Sequence, residues 1–253
     1  MMIDVPLEKW ADRLESVISS KCRDLKRVFV LRETDSTQDA AKRMDAQPGD
    51  VITTFRQTAG RGRLGRDWMD TEEYGVAVTI ATLPCPGELL ALQYAIAVAR
   101  SAESILNQQV QIKWPNDILV DGRKLAGILI EQSSTRALAG IGINVSQTSW
   151  PDELVDQAVS FSQLGASVDR IEVLETLLPS IERALTADAE VIALEFEKRD
   201  VLTGSNATFK RPNGTIQGKV VRIDPLKGLV VNSGSKEIFL PAATTSIVSH
   251  SAE

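Results

Sequence analysis

The stretch Gly60-Arg-Gly-Arg-Leu-Gly-Arg-Asp-Trp68 lies between two segments rich in β-branched residues, Val51-Ile-Thr-Thr-Phe55 and Tyr74-Gly-Val-Ala-Val-Thr-Ile80. Such segments are typical of strands, so the pattern predicts a strand, a charged loop and a second strand. Three glycines and three arginines fall within the first seven residues of the loop. Glycine gives the backbone unusual freedom, and arginine guanidinium groups suit carboxylates and phosphates. The stretch therefore predicts a sheet that presents a loop able to wrap an anionic ligand.

Two other interpretations of this loop are open at the level of composition. A cluster of glycine and arginine is often a solvated turn, and arginine also binds the phosphates of nucleic acids. The two flanking strands favour a ligand site, because charged loops held by a rigid scaffold commonly carry function. The loop is not a P-loop, since no Gly-Lys-Ser/Thr sequence and no helix pattern follow it.

Length and charge narrow the class of protein. The chain has 253 residues, which allows one large domain or a main domain with a small one, and its 43% apolar and 25% charged residues are ordinary globular values. The net charge of −6 disfavours general affinity for nucleic acid. The arginine cluster is thus a local feature of an acidic protein and favours a small anionic ligand over DNA.

The cysteines and the histidine exclude several kinds of site. Cys22 and Cys85 show no motif spacing, and no apolar N-terminal run resembles a signal peptide or membrane span, so we expect a reduced, cytoplasmic protein. His250 is the only histidine in the sequence. Catalysis by a Ser-His pair and a His-rich zinc site are therefore not expected.

Four segments have apolar residues at helical spacing, which predicts helices. They are Pro6 to Ile18, Thr34 to Met44, Glu88 to Asn107 and residues 150 to 199. In the second segment, Ser36 and Asp39 are spaced like a capping box. Simple capping and ligand binding are compatible there, because a helix N-terminus has free N–H groups. We expect the third helix to cover the sheet.

Polar and charged side chains are dense between residues 111 and 131. Gln111-Ile-Lys-Trp-Pro-Asn-Asp117 ends a predicted strand at Pro115, which fixes Asn116 and Asp117 at a bend or in a simple turn. Asp121-Gly122 then predicts a type I′ turn joining two strands, with Lys124 just beyond it.

Two further segments complete the predicted scaffold. Residues 139 to 145 form another predicted strand, in which Gly140 and Gly142 leave room for close approach. Beyond residue 200 the pattern changes to short strands and turns, which predicts a small β-barrel. Its predicted strands are 207–210, 215–223, 229–231 and 238–240.

Taken together, five motifs resemble those of biotin protein ligases, in that family's order and spacing. The resemblance covers roughly residues 28 to 145. The motifs are Asp35-Ser-Thr37, Gln57-Thr-Ala-Gly-Arg-Gly-Arg-Leu-Gly-Arg-Asp-Trp68, Lys113-Trp-Pro-Asn-Asp117, Arg123-Lys-Leu-Ala-Gly-Ile-Leu-Ile-Glu131 and Gly140-Ile-Gly-Ile-Asn144.

The resemblance implies an α+β fold in two parts. Residues 1–199 would form a catalytic domain with a mixed β-sheet packed with helices, like class II synthetases and biotinyl/lipoyl ligases. Residues 200–253 would form a small C-terminal SH3-like β-barrel. The barrel's purpose is open, and closing over ATP and docking an acceptor are both compatible with it.

The implied reaction is ATP-dependent biotinylation in two steps. The carboxylate of biotin would attack the α-phosphate of ATP, giving biotinyl-adenylate and pyrophosphate, and a lysine of a biotin carboxyl carrier domain would then displace AMP. Mg²⁺ is expected as a companion of ATP, and no dedicated metal cage is identified. Monomer and homodimer are both open, and no membrane binding is expected. Sequence-specific DNA binding is not expected either, because only 33 residues precede Thr34, too few for the winged-helix domain of the repressor members.

The resemblance also implies the site residues. Lys124, Arg61 and Asp117 would be catalytic, with Lys124 reaching the carboxylate and α-phosphate and Asp117 orienting or deprotonating the acceptor lysine. The biotin-binding residues would be Ser36, Thr37, Gln38, Gln57, Gly60, Arg61, Gly62, Arg63, Trp68, Lys124 and Gly127. The ATP-binding residues would be Arg61, Arg63, Arg66, Trp68, Asn116, Lys124 and Asn144, although Trp68 also suits core packing and Asn144 a strand-end cap.

One departure and two rivals qualify this hypothesis. Many family members carry Asn after Asp-Ser-Thr, and Gln38 takes that place here. The nearest rival is a lipoate or octanoate ligase or transferase, which shares the core architecture. A biotin sensor without ligase activity is a rival of another class, and ATP-dependent pyrophosphate release distinguishes it from an enzyme.

Overall fold

The computed structural model describes residues 6–65, 67–69, 74–234 and 236–251, which form an α+β fold with two sheets. Five helices run α1 Glu8–Lys21, α2 Thr37–Arg43, α3 Gly87–Leu106, α4 Arg170–Leu185 and α5 Ala189–Glu197. Nine strands precede α4, namely β1 Arg27–Thr34, β2 Asp50–Gln57, β3 Gly60–Arg61, β4 Asp67–Trp68, β5 Gly75–Thr82, β6 Gln111–Lys113, β7 Asp117–Val120, β8 Arg123–Gln132 and β9 Ala137–Asn144. Five follow α5, namely β10 Asn206–Arg211, β11 Gly214–Asp224, β12 Gly228–Ser233, β13 Lys236–Pro241 and β14 Ser246–Ser251.

The main sheet has seven strands in the order β1-β2-β5-β9-β8-β7-β6. Only β1 and β2 pair in parallel, with α2 as their connection, and the other neighbours are antiparallel. The prediction of a strand, a loop and a second strand is confirmed. The strands are β2 and β5, and we call residues 60–68 between them the Gly-Arg loop. Within the loop, β3 and β4 pair as a short ribbon through Gly60–Trp68 and Arg61–Asp67.

Helices α3 and α4 pack against each other on one side of the main sheet. Helix α3 covers β8, as predicted, and more than half of its residues are buried. Its length and apolar character would also suit a membrane span, and it is the one described helix of which this is true. Its burial against α4 and β8 accounts for the same composition, because a core helix is apolar on most sides.

The type I′ turn after β7 is confirmed. Asp121 and Gly122 both have positive φ, 49° and 75°, as that turn requires at its two central positions. The turn sends β8 back along β7, and this places Lys124 two residues into the longest strand of the main sheet. The bend predicted at Pro115 is also present, with a cis Trp114–Pro115 peptide between β6 and β7.

The helix predicted over residues 150 to 199 is wrong for residues 150–169. Residues 150–169 form turns and a 3₁₀ segment, Ser162–Leu164, before α4 begins. Local bonds in this segment close only separate turns, such as Leu154 N to Pro151 O at 2.8 Å, and the chain between them pairs with β8. Lys124 N donates to Gln157 O at 2.7 Å, and Val159 N donates to Lys124 O at 3.0 Å, so tertiary bonds interrupt the segment despite its apolar spacing.

Helix α4 begins at a capping box, which sequence analysis did not single out. The Asp169 carboxylate accepts from Glu172 N at 2.9 Å, and the Glu172 carboxylate accepts from Asp169 N at 2.9 Å. Two N–H groups that a helix leaves without partners are thereby satisfied.

Asp169→Ala is expected to lower the free energy of unfolding by about 1 kcal/mol, because one of these bonds is lost at the start of a core helix. Chemical denaturation of both proteins measures the difference. Asp188→Ala is the matched control, since Asp188 is the N-cap of α5 but makes no side-chain capping bond. Equal losses from the two variants would show that the capping box contributes nothing.

The C-terminal strands form a five-stranded antiparallel sheet in the order β13-β12-β11-β10-β14, consistent with the predicted SH3-like barrel. Strand β14, which pairs with β10, was not predicted from the sequence. This sheet touches the rest of the fold, because Trp114 Nε1 donates to Pro225 O at 3.4 Å and Ile112 forms a bridge with Asp200. The domain boundary at residues 199 and 200 stays a prediction.

Candidate functional site

A cavity lies under the Gly-Arg loop, between the centre of the main sheet and the start of β14. Ten of the residues predicted from sequence line it together, although they come from α2 and from three of the five motifs. They are Gln38, Gln57, Arg61, Gly62, Arg63, Trp68, Asn116, Asp117, Lys124 and Gly127.

Four of the predicted site residues that the structure describes do not line the cavity. Ser36 and Thr37 are buried at the start of α2, and Gly60 lies at the base of the loop. Asn144 is buried behind β8, and its amide donates to the carbonyl oxygens of Lys124 and Val159 at 3.0 and 3.1 Å. That contact matches the strand-end role left open from sequence. Arg66 lies outside the described residues.

The first wall is built by the N-terminus of α2 and the end of β2. Gln57 Oε1 accepts from Thr37 N at 3.0 Å, and Thr37 Oγ1 in turn accepts from Thr79 Oγ1 at 2.8 Å. The predicted capping box is wrong: Ser36 Oγ accepts from Gln38 N at 3.2 Å, one residue earlier than a capping box needs. Asp39 does not reach back to Ser36, because arginine and lysine side chains hold its carboxylate.

Gln38 crosses from this wall to the sheet. Its side-chain nitrogen donates to Leu129 O at 3.2 Å and Leu138 O at 3.4 Å, so both bonds require the NH₂ group to face β8 and β9. A methyl group on Gly140 would lie 2.8 Å from the Gln38 amide carbon. The glycine therefore gives Gln38 the space to lie flat on β9.

Trp68 lies over the next glycine of the same strand. A methyl group on Gly142 would overlap the indole ring, and one on Gly127 of β8 would lie 3.1 Å from it. The Lys124 Nζ atom lies 5.4 Å from the centroid of the Trp68 ring, which is a cation–π distance. The close approach predicted at Gly140 and Gly142 is thus confirmed, and the approaching groups are Gln38 and Trp68.

Gly142→Ala is expected to lower the free energy of unfolding by about 1–3 kcal/mol, the usual cost of overfilling a packed site. The added methyl group and the indole cannot occupy the same space. Combining it with Trp68→Phe should recover part of the loss, because the smaller ring leaves room for the methyl group. Gly87→Ala is the control, since a methyl group there meets no atom within 4 Å. Additive effects of the two substitutions would contradict this contact.

The backbone of Lys124 is fixed by hydrogen bonds, and its side chain reaches the cavity. Its N–H and C=O bond to residues 157 and 159 and to the Asn144 amide, so three hydrogen bonds fix its backbone. Its Nζ atom forms an ion pair with Asp117 Oδ1 at 2.7 Å, and both side chains are largely shielded, with 33% and 20% exposed. A cation and a carboxylate thus face the cavity side by side.

The two loop arginines are anchored at different places. Arg61 pairs with Asp39 of α2, and this hydrogen-bonded pair lowers the pKa of the Asp39 carboxyl and raises the pKa of the Arg61 guanidinium. Arg63 donates to Asn116 Oδ1 at 3.4 Å and to Ala242 O at 3.3 Å. It therefore links the loop, the bend before β7 and the C-terminal sheet. Asn116 is further fixed by donating to Ile128 O at 3.0 Å.

Sequence analysis did not assign several lining residues. Asp67, Lys113, Ser246 and Ile247 also line the cavity. Asp67 belongs to the motif at residues 57–68 and Lys113 to the motif at residues 113–117, so both could have been predicted as site residues from their motifs. Ser246 and Ile247 begin the strand that was missed, and no motif marks them. The C-terminal sheet hence supplies part of the cavity wall.

The cavity has a volume of about 150 Å³. Pockets for drug-sized ligands measure about 300–1,000 Å³, so this cavity alone is smaller than such a ligand requires. Among residues 6–65, 67–69, 74–234 and 236–251, no group of three or more His, Cys, Asp or Glu side chains is placed to hold a metal ion.

Comparison with protein families gives a match to the biotin/lipoate A/B protein ligase family over residues 30–148. The chain is 36% identical to the bifunctional ligase/repressor BirA of Bacillus subtilis over 228 residues, which cover 83% of this chain and 70% of that protein. It is 31% identical to the biotin–[acetyl-CoA-carboxylase] ligase of Mycobacterium tuberculosis, with 77% of each chain covered.

Solved structures agree in fold. A biotin protein ligase from Aquifex aeolicus in complex with biotin and ATP is similar with a TM-score of 0.78 and 30% identity, covering 88% of this chain and 98% of that one. A mutant of that ligase with biotin gives a TM-score of 0.79 at 29% identity over the same shares. The likeness therefore extends beyond the family match into the C-terminal sheet.

Proposed function

The chain belongs to the biotin protein ligase family, and on that premise we propose that it uses ATP to attach biotin to a lysine of a biotin carboxyl carrier domain. The observation that carries this proposal is the ion pair of Lys124 and Asp117, which faces the cavity beneath the Gly-Arg loop. A cation and a carboxylate at one place suit a reaction that first builds and then breaks a mixed anhydride.

In the first step, a carboxylate oxygen of biotin attacks the α-phosphorus of ATP, and pyrophosphate leaves. Negative charge increases on the phosphate oxygens, so fixed cations near them lower the barrier. Lys124 is the best placed for this role, because its strand is bonded on both sides while its ammonium reaches the cavity. Arg63 would supply a second cation from the loop.

In the second step, the amine of the acceptor lysine attacks the carbonyl carbon of biotinyl-adenylate, AMP leaves, and the amine gives up a proton. Asp117 is the carboxylate nearest to this event, because it lies beside Lys124. When Lys124 turns to the phosphate, Asp117 loses its partner and can accept a hydrogen bond or proton from the incoming amine. The ion pair thus connects the two steps.

Gln38 and Gln57 would recognise the polar ring of biotin. The Gln38 nitrogen is bound to two main-chain oxygens, which leaves its Oε1 atom as the available acceptor for a ring N–H. Thr37 N donates to the Gln57 side chain, and the Ser36 side chain accepts from Gln38 N, so Thr37 and Ser36 would orient the two glutamines. Thr37 and Ser36 would contact biotin themselves only if the first turn of α2 opened on binding. Gly60 and Gly62 would let the loop backbone approach the ligand.

Trp68 and Asn144 would bind the nucleotide from the sheet. The Trp68 indole offers an apolar surface beside Gly127 and Gly142, on which a base can stack after a small shift. Asn144 would reach the nucleotide only by giving up a bond to a main-chain oxygen. Asn116 and Arg66 complete the proposed ATP-binding set.

A magnesium ion that enters with ATP fits these residues. Mg²⁺ is usually held by substrate phosphates together with one or two carboxylates, and among the described residues Asp67 and Asp117 place carboxylates on the cavity wall. When bound, the ion would neutralise phosphate charge. We further propose a cytoplasmic enzyme, to which the two free cysteines are suited, acting on the carrier domain of a biotin-dependent carboxylase.

The test is the mass of an isolated biotin-acceptor domain after incubation with this protein, ATP, Mg²⁺ and biotin. One biotinyl group on one lysine is expected, and none on an acceptor whose target lysine is replaced by arginine. Labelling by lipoate or octanoate instead would support the sister family. Biotin binding without any labelling would support a sensor and overturn the proposal.

A further inference from the structure

We propose that Asp39 and Glu131 are positioning residues, which hold Arg61 so that the Gly-Arg loop stays over the biotinyl-adenylate until the acceptor arrives; the inference rests on the proposed function. Neither carboxylate lines the cavity. They act through Arg61, which does.

A closed ring of alternating charge, which we call the Arg61 ring, is formed by the side chains of Arg61, Asp39, Lys42 and Glu131. Arg61 pairs with Asp39 through both of its terminal nitrogens, one of them at 2.8 Å. Lys42 lies 3.4 Å from Asp39 and 2.8 Å from Glu131. The distance from Arg61 Nη2 to Glu131 Oε1, 3.7 Å, closes the ring. Each carboxylate therefore faces two cations, and each cation faces two carboxylates.

The ring joins three parts of the site. Arg61 belongs to β3 in the loop, Asp39 and Lys42 to α2, and Glu131 to the end of β8. Helix α2 begins with the residues proposed for the biotin ring, and β8 also carries Lys124. The ring thus ties the Gly-Arg loop to the two elements that carry the proposed binding and catalytic groups.

The ion pairs that Asp39 and Glu131 make with Arg61 are suited to hold the loop reversibly. The ring side chains are 26–44% exposed, so water and salt weaken each contact. An isolated pair of this kind contributes little, and only a shared network gains by combining several weak contacts. Contacts of this strength can break when the acceptor binds and can still slow the release of biotinyl-adenylate.

Retention matters for this chemistry. Acyl-adenylates react with water and with any amine, so the site must exclude both until the acceptor binds. The loop covers the cavity through Gly62 and Arg63, directly after Arg61. Fixing Arg61 at the side of the cavity therefore restrains the segment that closes it.

The test measures how fast biotinyl-adenylate leaves the preloaded protein, using Asp39→Asn and Glu131→Gln. Both substitutions remove a charge with little change of shape. Release is expected to accelerate about three- to tenfold, in line with a network of weak pairs, while pyrophosphate release changes less than about threefold. Asp45→Asn is the matched control, because it removes an equally close surface pair with Arg136.

Salt provides a readout that a general loss of stability would not change. Raising the ionic strength should accelerate release from the parent protein and the control, and should have little further effect on the two ring variants, whose charges no longer alternate. Equal release from all proteins, or equal salt dependence, would overturn the inference.

A second readout needs no adenylate. Trypsin should cut the loop after Arg61 or Arg63 faster in the ring variants than in the control, with the fragments identified by mass. If the parent protein forms no adenylate, the proposed function fails, and this cleavage still decides whether the ring holds Arg61. Unchanged cleavage would mean that it does not.

Discussion

Replacing Lys124 by alanine is expected to lower the rate of biotinyl-adenylate formation by about 100- to 1,000-fold, the loss seen when one electrostatic donor is removed from a transition state. Biotin binding should stay within a few-fold of the parent value. The reason is that Lys124 reaches the cavity from β8, whereas the proposed polar contacts to the biotin ring come from α2 and β2. Single-turnover pyrophosphate release and calorimetric binding of biotin measure the two quantities.

The fold should survive this change, because the three hydrogen bonds that fix residue 124 involve its backbone. Lys124→Ala does leave Asp117 without its cation, so thermal unfolding must be compared as well. Arg123→Ala is the control, since it removes the neighbouring charge at the hairpin turn. Full pyrophosphate release by Lys124→Ala would remove this lysine from the chemistry.

Replacing Arg61 by glycine is expected to let biotinyl-adenylate escape and label lysines of bystander proteins. The change removes the only member of the Arg61 ring that belongs to the loop, and it also gives the loop backbone more freedom. Bystander labelling should appear in a mixture with an unrelated protein and no acceptor domain. It should be at the level of the parent protein in Arg56→Ala, which loses an exposed pair with Glu33.

Arg61→Ala separates the two causes, because it removes the guanidinium group but keeps an ordinary residue. Labelling by Arg61→Ala near that of Arg61→Gly would assign retention to the side chain. Labelling near that of the parent protein would assign it to the stiffness of the backbone. If no free adenylate appears with either variant, Arg61 has no guarding role.

Local patterns in the sequence were sufficient for the elements that determine the main sheet. The β-branched segments on both sides of the Gly-Arg loop became β2 and β5, and Asp121-Gly122 became a type I′ turn. In these places the local preference and the tertiary fold agree. The spacing of glycines along β9 predicted close approach for a physical reason, and Trp68 and Gln38 are the groups that approach.

Long-range contacts account for the errors. Residues 150–169 have helical spacing, yet they pair with Lys124 of β8, which lies more than thirty residues earlier in the chain. Asp39 has the spacing of a capping residue, yet Arg61 and Lys42 hold its carboxylate. In both cases a partner distant in sequence, Lys124 or Arg61, takes up a group that the local pattern assigned to the helix. No local pattern carries that information.

The cavity wall from the C-terminal sheet was missed for the same reason. Ser246 and Ile247 line the cavity only because β14 pairs with β10 and the sheet docks against Trp114. Arg63 adds a further bond to Ala242 O. The C-terminal sheet thus lies close enough to the site to influence it, and closure over ATP becomes the simpler of its two proposed roles.

The most direct test of the central claim is pyrophosphate release with ATP and Mg²⁺ in the presence of biotin, lipoate or octanoate. The account predicts release with biotin and none with the other two acids, because Gln38 and Gln57 offer polar contacts that an acyl chain cannot use. Release with lipoate or octanoate would contradict these assignments. Biotin binding without release would contradict the ligase itself.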